Sequence, residues 1–301
     1  MSGSILGAIF SAAFLTAVIR MTTPILLSAL GDVYCERTGV LNIAQEGMML
    51  IGAFVAFLGA YYNNNNPYMG FLTAMLVGMI VGAIYAIFVV TLGCNQIVTA
   101  LGINMFGLGV TSTFNKYLFG ITTTIPHTEN MPTLFFGQSI FFYLALLLVP
   151  ITYLILQKTK WGLKIRAIGE YPRAAATVGV NVYLHRYIAC IISGALSALG
   201  GASLTIGGLG YFQDNMVAGR GFIAFAAVIF GRYNPVGTLI ACLLFGAADA
   251  LQLNLQSMGV KLPYHMFLML PYIITILVLV VFQTKSFVPR AQGTHYIRDQ
   301  R

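Results

Sequence analysis

Eight long apolar runs decide what this chain can become. They are Ile5 to Leu30, Gly39 to Tyr62, Met69 to Thr91, Ile97 to Phe114, Ile140 to Leu156, Tyr187 to Ile206, Pro235 to Leu255 and Tyr264 to Phe282. A helix needs about 20 apolar residues to cross the hydrocarbon of a bilayer, and each run is near that length. Charged residues make up 8% of the 301 positions and hydrophobic ones 58%. A soluble domain carries roughly 25% charge, so a water-facing surface of normal size is excluded. Backbone polar groups in lipid must be satisfied within the segment, and continuous apolar runs do this as helices. The expected fold is all-α: a polytopic transmembrane bundle of about eight spans, one domain over 1–301. Phe222 to Gly231 is apolar but too short for a free span, which suggests a half-helix or re-entrant segment. The first residues lack a basic stretch, so no cleavable signal peptide is expected.

Orientation follows from the basic residues, which collect on the cytoplasmic side. The segment 158–186 carries Lys158, Lys160, Lys164, Arg166, Arg173 and Arg186 against the single acid Glu170, and 283–301 adds Lys285, Arg290, Arg298 and Arg301. Both are expected in the cytoplasm. Segment 120–138 and the Asn63 to Asn66 run belong outside, which puts the N-terminus outside if Ile5 to Leu30, with Arg20 and Pro24 inside it, is one crossing. The same asymmetry explains the net charge of +8 without nucleic acid as a partner. Cys35, Cys94, Cys190 and Cys242, like the four histidines, show no metal-ligand spacing, and no metal is expected.

Polar residues at membrane depth are costly and mark function or helix contacts. The stretch GDVYCERTGVLNIAQEGMMLIGAF, from Gly31, reads as a surface turn at Asp32, Glu36 and Arg37 followed by a new membrane helix. Asn42, Gln45 and Glu46 share one face of its first turns. They can line a pore, or Glu46 can satisfy backbone amides of a broken helix. Asn104 stands alone in an apolar span, and its amide suits a neutral polar ligand. Asp249 is a lone acid that an ion-coupled carrier would use, although a helix–helix hydrogen bond is the commoner role. NIAQEGMMLIG and FIAFAAVIFG form a faint repeat whose copies cross in opposite directions, as binding segments of transporters do.

WGLKIRAIGEYPRAAATVGVNV, from Trp161, is a basic amphipathic loop with the composition of a surface that another protein grips. Pro172 and Gly169 sharpen its entry, Ala174 to Ala176 favour a short helix, and Gly179 can end that helix in a left-handed turn. A loop that only fixes topology would not require this punctuation.

ERTGVLNIAQEGMMLIGAF, GEYPRAAATVGVNV and AGRGFIAFAAVIFGRYNPVG, in that order, resemble the branched-chain amino-acid and simple-sugar permease family of ABC importers, nearest its purine nucleoside branch. The likeness runs from about Pro24 to Phe282. Ala44 and Gln45 stand where Gly and Leu are more usual, and Tyr171 where Asn is common. The resemblance implies a non-enzymatic permease subunit in a bacterial inner membrane. It implies a cytoplasmic coupling helix, with Arg166, Gly169, Glu170, Pro172, Arg173, Ala175 and Gly179 contacting an ATP-binding cassette subunit. The 301 residues contain no GxxxxGK[ST] loop, so ATP and its hydrolysis belong to partner chains and no cofactor is expected here. Other implied partners are a second, non-identical permease, an extracytoplasmic binding protein or lipoprotein, and membrane lipid. Asn42, Glu46, Asn104 and Phe222 are the candidate substrate-path residues for a nucleoside. The alternatives are a sugar or branched-chain amino acid in the same family, or an ion-coupled secondary carrier.

Overall fold

The computed structural model describes residues 12–120, 126–134, 137–257 and 288–296, and most of these described residues lie in ten α-helices and two short π-helical turns. In order they are α1 (Ala12–Arg37), α2 (Gln45–Tyr61), α3 (Pro67–Ala86), α4 (Gln96–Phe119), α5 (Ile140–Lys158), α6 (Lys160–Glu170), α7 (Pro172–Thr177), α8 (Val182–Leu204), α9 (Arg220–Phe230) and α10 (Pro235–Ser257). Among the described residues there is no strand, only an isolated bridge between Thr133 and Ser139. The helix starts are written in the sequence. Asn66, Asn95, Thr159 and Asn181 each accept a hydrogen bond from an amide of the following first turn, satisfying donors that a helix leaves unpaired there.

Six of these helices, two of them with their π-helical ends, are long and apolar enough to span: Ala13–Arg37, Pro67–Thr91, Gln96–Phe119, Ile140–Lys158, Val182–Leu209 and Pro235–Gln256. Gln45–Tyr61 and Arg220–Phe230 are apolar but shorter. The polytopic helical bundle expected from the apolar runs is therefore the fold. The eighth expected run, Tyr264 to Phe282, lies outside the described residues, as does the start of the first.

Two boundaries differ from expectation. Helix α1 does not stop near Leu30; it passes through Arg20 and Pro24 and on to Arg37. Asp32 and Glu36 are thus no surface turn: both are completely buried, on the inner face of α1 beside buried Val33 and Tyr34. The next helix begins at Gln45 rather than near Gly39, because Gly39 adopts φ +80° and residues 38–44 form a hydrogen-bonded turn. Among the described residues there are therefore two short apolar helices, Gln45–Tyr61 and Arg220–Phe230.

Helix α8 is the central post, packed against α1, α2 and α3. Its small residues let backbones touch, which replaces the hydrophobic driving force that lipid does not supply. A Cβ on Gly78 of α3 would run into the Gly194 carbonyl and the Ala198 methyl of α8. At one end of the bundle Arg37 Nε donates to the Tyr233 carbonyl at 2.7 Å, and Ala291 N donates to the Gly169 carbonyl at 2.8 Å. That end also holds Lys158, Lys160, Lys164, Arg166, Arg173 and Arg290, the basic residues on which the expected orientation rests.

Candidate functional site

Two places stand out: a polar junction where α2 and α9 begin, and the basic hairpin α6–α7. At the junction neither helix caps itself, for Ala44 and Gly219 contribute no side-chain cap. The caps come from other helices. Asn104 of α4 accepts from Gly47 N at 2.8 Å through Oδ1 and donates to the Ile43 carbonyl at 3.0 Å through Nδ2. Glu46, in the first turn of α2, takes Gly219 N on Oε1 and Gly221 N on Oε2, both at 2.8 Å. Its carboxyl group thus closes the N-terminus of α9 while lying near that of α2, where the positive ends of both helix dipoles favour negative charge. Gly221 sits against the Glu46 backbone so closely that a Cβ would collide with it.

Of the two readings open for Glu46, backbone amides of a broken helix are what it holds. Asn104 and Phe222, whose side chain is 43% exposed, come to the same junction. Asn42 does not. It is fully buried, donates to Ser193 Oγ at 2.9 Å and receives Ala44 N on Oδ1 at 3.1 Å, while its own N–H goes to Glu36 Oε1 at 3.0 Å. Gln45 Oε1 is likewise occupied, by Ser28 Oγ at 2.9 Å. Asp249 on α10 and Glu46 both have Arg220 as a charged neighbour. Among the described residues neither acid forms a salt bridge with it; Arg220 donates instead to the Met216 and Val217 carbonyls.

The basic segment folds into two short helices rather than a loop with one. Thr159 caps α6 through Gly162 N, Pro172 occupies the first turn of α7, and Gly179 closes the hairpin at φ +83° with open space beside it. Arg166 turns inward to Gln157 Oε1 at 3.1 Å. Gly169 packs on the Arg37 carbonyl, where a Cβ would not fit, and Ala175 is buried with Ile168, Val182 and Tyr296. Glu170, Arg173 and Gly179 are exposed. The seven expected coupling residues thus divide into an inner anchor (Arg166, Gly169, Ala175) and an outer rim, with Pro172 between them. Sequence reasoning missed the most accessible apolar side chains here: Val178 is 78% exposed, Leu163 62% and Tyr171 54%. The signal for them was present, because apolar side chains in a basic cytoplasmic loop have no lipid to face. Among the described residues no three His, Cys, Asp or Glu side chains converge as a metal site would require.

A bundle of helices long and apolar enough to span, with two shorter apolar helices that meet at their N-termini and an exposed hairpin at its basic end, is the build of a multi-pass membrane protein. Residues 14–279 match the family model for the permease component of branched-chain amino acid transport systems, and the chain belongs to that family. It is 37% identical to the guanosine ABC transporter permease protein NupQ of Bacillus subtilis, over 95% of this chain and 96% of that one. It is 33% identical to the nucleoside ABC transporter permease protein NupC of Lactococcus lactis, over 93% and 95%. It is 35% identical to the putative glucose ABC transporter permease protein TsgC13 of Haloferax volcanii, over 84% and 80%. No solved structure matches it. The chain is a permease subunit of an ABC transporter and not an enzyme; it works within an ABC system.

Proposed function

We propose that this chain imports nucleosides, purine nucleosides foremost, across a bacterial cytoplasmic membrane as one of two non-identical permease subunits. An extracytoplasmic binding protein or lipoprotein delivers the solute, and ATP hydrolysis on partner subunits drives its passage. The observation that carries the substrate reading is the 37% identity to a guanosine permease over nearly the full length of both chains. The hairpin α6–α7 is the dock for the ATP-binding cassette subunit. Its apolar tips Tyr171 and Val178, beside Glu170 and Arg173, form the kind of exposed patch that soluble surfaces rarely leave uncovered. Gly169 and Ala175 seat the hairpin so that movement of the partner is delivered to the bundle rather than absorbed by a loose loop.

At the junction, Phe222 offers a ring for stacking against a base. Asn104 and Glu46 hold the two helix starts that form the wall beside it. Asn42 acts behind that wall, fixing the turn into α2. The family match, and not Asp249, is what argues against an ion-coupled carrier. The test is uptake of labelled guanosine by membranes holding the complete complex. Competition by unlabelled adenosine and none by ribose, glucose or leucine is expected, with uptake abolished by ATP depletion. Competition by a sugar but not by nucleosides would overturn the substrate reading, and uptake that needs a proton gradient rather than ATP would overturn the ABC mechanism.

A further inference from the structure

Residues 288–296 return to the cytoplasmic end and bind to four separate parts of it. Ala291 N donates to the Gly169 carbonyl of α6 at 2.8 Å, and Gly293 N to the Gly39 carbonyl at 3.1 Å. Arg186 of α8 donates to the Thr294 carbonyl at 3.1 Å and to the Thr38 carbonyl at 3.3 Å. Tyr183 donates to the Tyr296 carbonyl at 3.1 Å. Arg290 lies over the Tyr171 ring, 5.3 Å from its centroid, and 4.0 Å from the Glu170 carboxylate. Between these anchors Gln292 Nε2 donates to the second carboxyl oxygen of Glu36.

That last bond matters most, because Glu36 is fully buried and its other oxygen holds Asn42 N. Asn42 in turn shapes the turn that leads into α2, whose first residues carry Glu46. The Tyr233 hydroxyl stands 3.5 Å from Gln292 Oε1. Burial, and after it the nearby Glu36 charge, pushes that phenol up to about 12, so it stays protonated and able to donate. A continuous polar path therefore runs from the hairpin, through residues 288–296, to the junction.

We infer that residues 288–296 are the link that carries movement of the α6–α7 hairpin to the helix junction, and that Gln292 is its positioning residue. The inference rests on the hairpin being the ATPase dock. Among the described residues Arg186 and Gly293 also join this segment to the turn, through the Thr38 and Gly39 carbonyls, but Gln292 is the side chain that meets the buried carboxyl group holding Asn42 N. Direct packing of Gly169 on Arg37 fixes α1 alone, whereas Gln292 reaches the carboxyl group that orders the turn itself.

The test uses the full complex in liposomes and reads labelled guanosine taken up per ATP hydrolysed. Gln292→Ala leaves the ATPase subunit bound and hydrolysing, and lowers the ratio about tenfold, the scale set by leaving a buried hydrogen-bonding group without its partner. Gln292→Glu alone sets two carboxyl groups against each other and lowers it as well. Combining Gln292→Glu with Glu36→Gln re-forms the pair with donor and acceptor exchanged, still leaves an oxygen for Asn42 N, and returns the ratio to within about twofold of the parent. A merely structural role would not be restored in coupling by the exchange. A parental ratio in Gln292→Ala overturns the link, as does an exchanged pair that fails to assemble or stays uncoupled. Val178→Asp separates this from the dock: if that change leaves ATPase binding and uptake intact, the dock reading fails first. If it uncouples transport while Gln292→Ala does not, only the link fails.

Discussion

Replacing Glu46 by glutamine tests the junction at its most loaded point. Both carboxyl oxygens accept backbone N–H groups, at 2.8 Å each, so the amide leaves one oxygen in place and turns an NH₂ donor toward the other N–H. A charge-assisted hydrogen bond contributes about 1.5–3 kcal/mol, and an unpaired buried donor costs about 1–3 kcal/mol. Losing the anion at two helix N-termini adds about 0.3–1 kcal/mol. Because the side chain is only partly buried, the lower part of that range applies, about 2–4 kcal/mol. At about 2–4 °C per kcal/mol, the purified complex should melt about 4–16 °C lower. Fluorescence melting in detergent measures this, and guanosine uptake should fall with it. Glu46→Asp, one methylene shorter, cannot reach both amides and should not restore either property. A melting temperature within about 1 °C of the parent, with full uptake, would refute the reasoning that this carboxyl group holds α9 in place.

Asn104→Ala removes the cap on α2 and leaves Gly47 N and the Ile43 carbonyl without their partner. It should lower stability by about 1–3 kcal/mol and reduce uptake, whereas Asn104→Asp, which keeps the acceptor for Gly47 N, should retain more of both. Asp249→Asn should leave uptake ATP-dependent and insensitive to uncouplers, checked in energised vesicles; loss of an ion requirement would contradict the assignment. Gly78→Leu should prevent assembly of the bundle, because α3 and α8 cannot approach with a side chain between them; normal yields of folded complex would contradict that packing.

Most of the bundle was legible because continuous apolar runs have few ways to exist in lipid; the caps Asn66, Asn95, Thr159 and Asn181 were local signals that the sequence reading left unused. What escaped was set by partners distant in sequence. Asp32 and Glu36 look like a surface turn until Gln292, 256 positions away, supplies a donor to Glu36. The start of α2 depends on Asn104, 57 positions beyond Gly47, so its interruption carried no local signal beyond Gly39. The candidate path residues were recognisable as polar groups at depth, yet which of them face each other depends on the opposed approach of α2 and α9. In the hairpin, Pro172 and Gly179 marked the turn geometry, while the split between inward Ala175 and outward Val178 appeared only once residues 288–296 and α8 covered one side.

The central claim is that the exposed tip of α6–α7 couples ATP hydrolysis elsewhere to passage through this chain. Uptake of labelled guanosine and ATP hydrolysis, measured together on complexes carrying Val178→Asp or Glu170→Lys, test it most directly. The account predicts full membrane insertion of this chain, weakened retention of the ATPase subunit, and loss of ATP-driven uptake in both variants. Undiminished ATP-driven uptake in both would contradict it, leaving the segment as a basic anchor that does no more than fix topology.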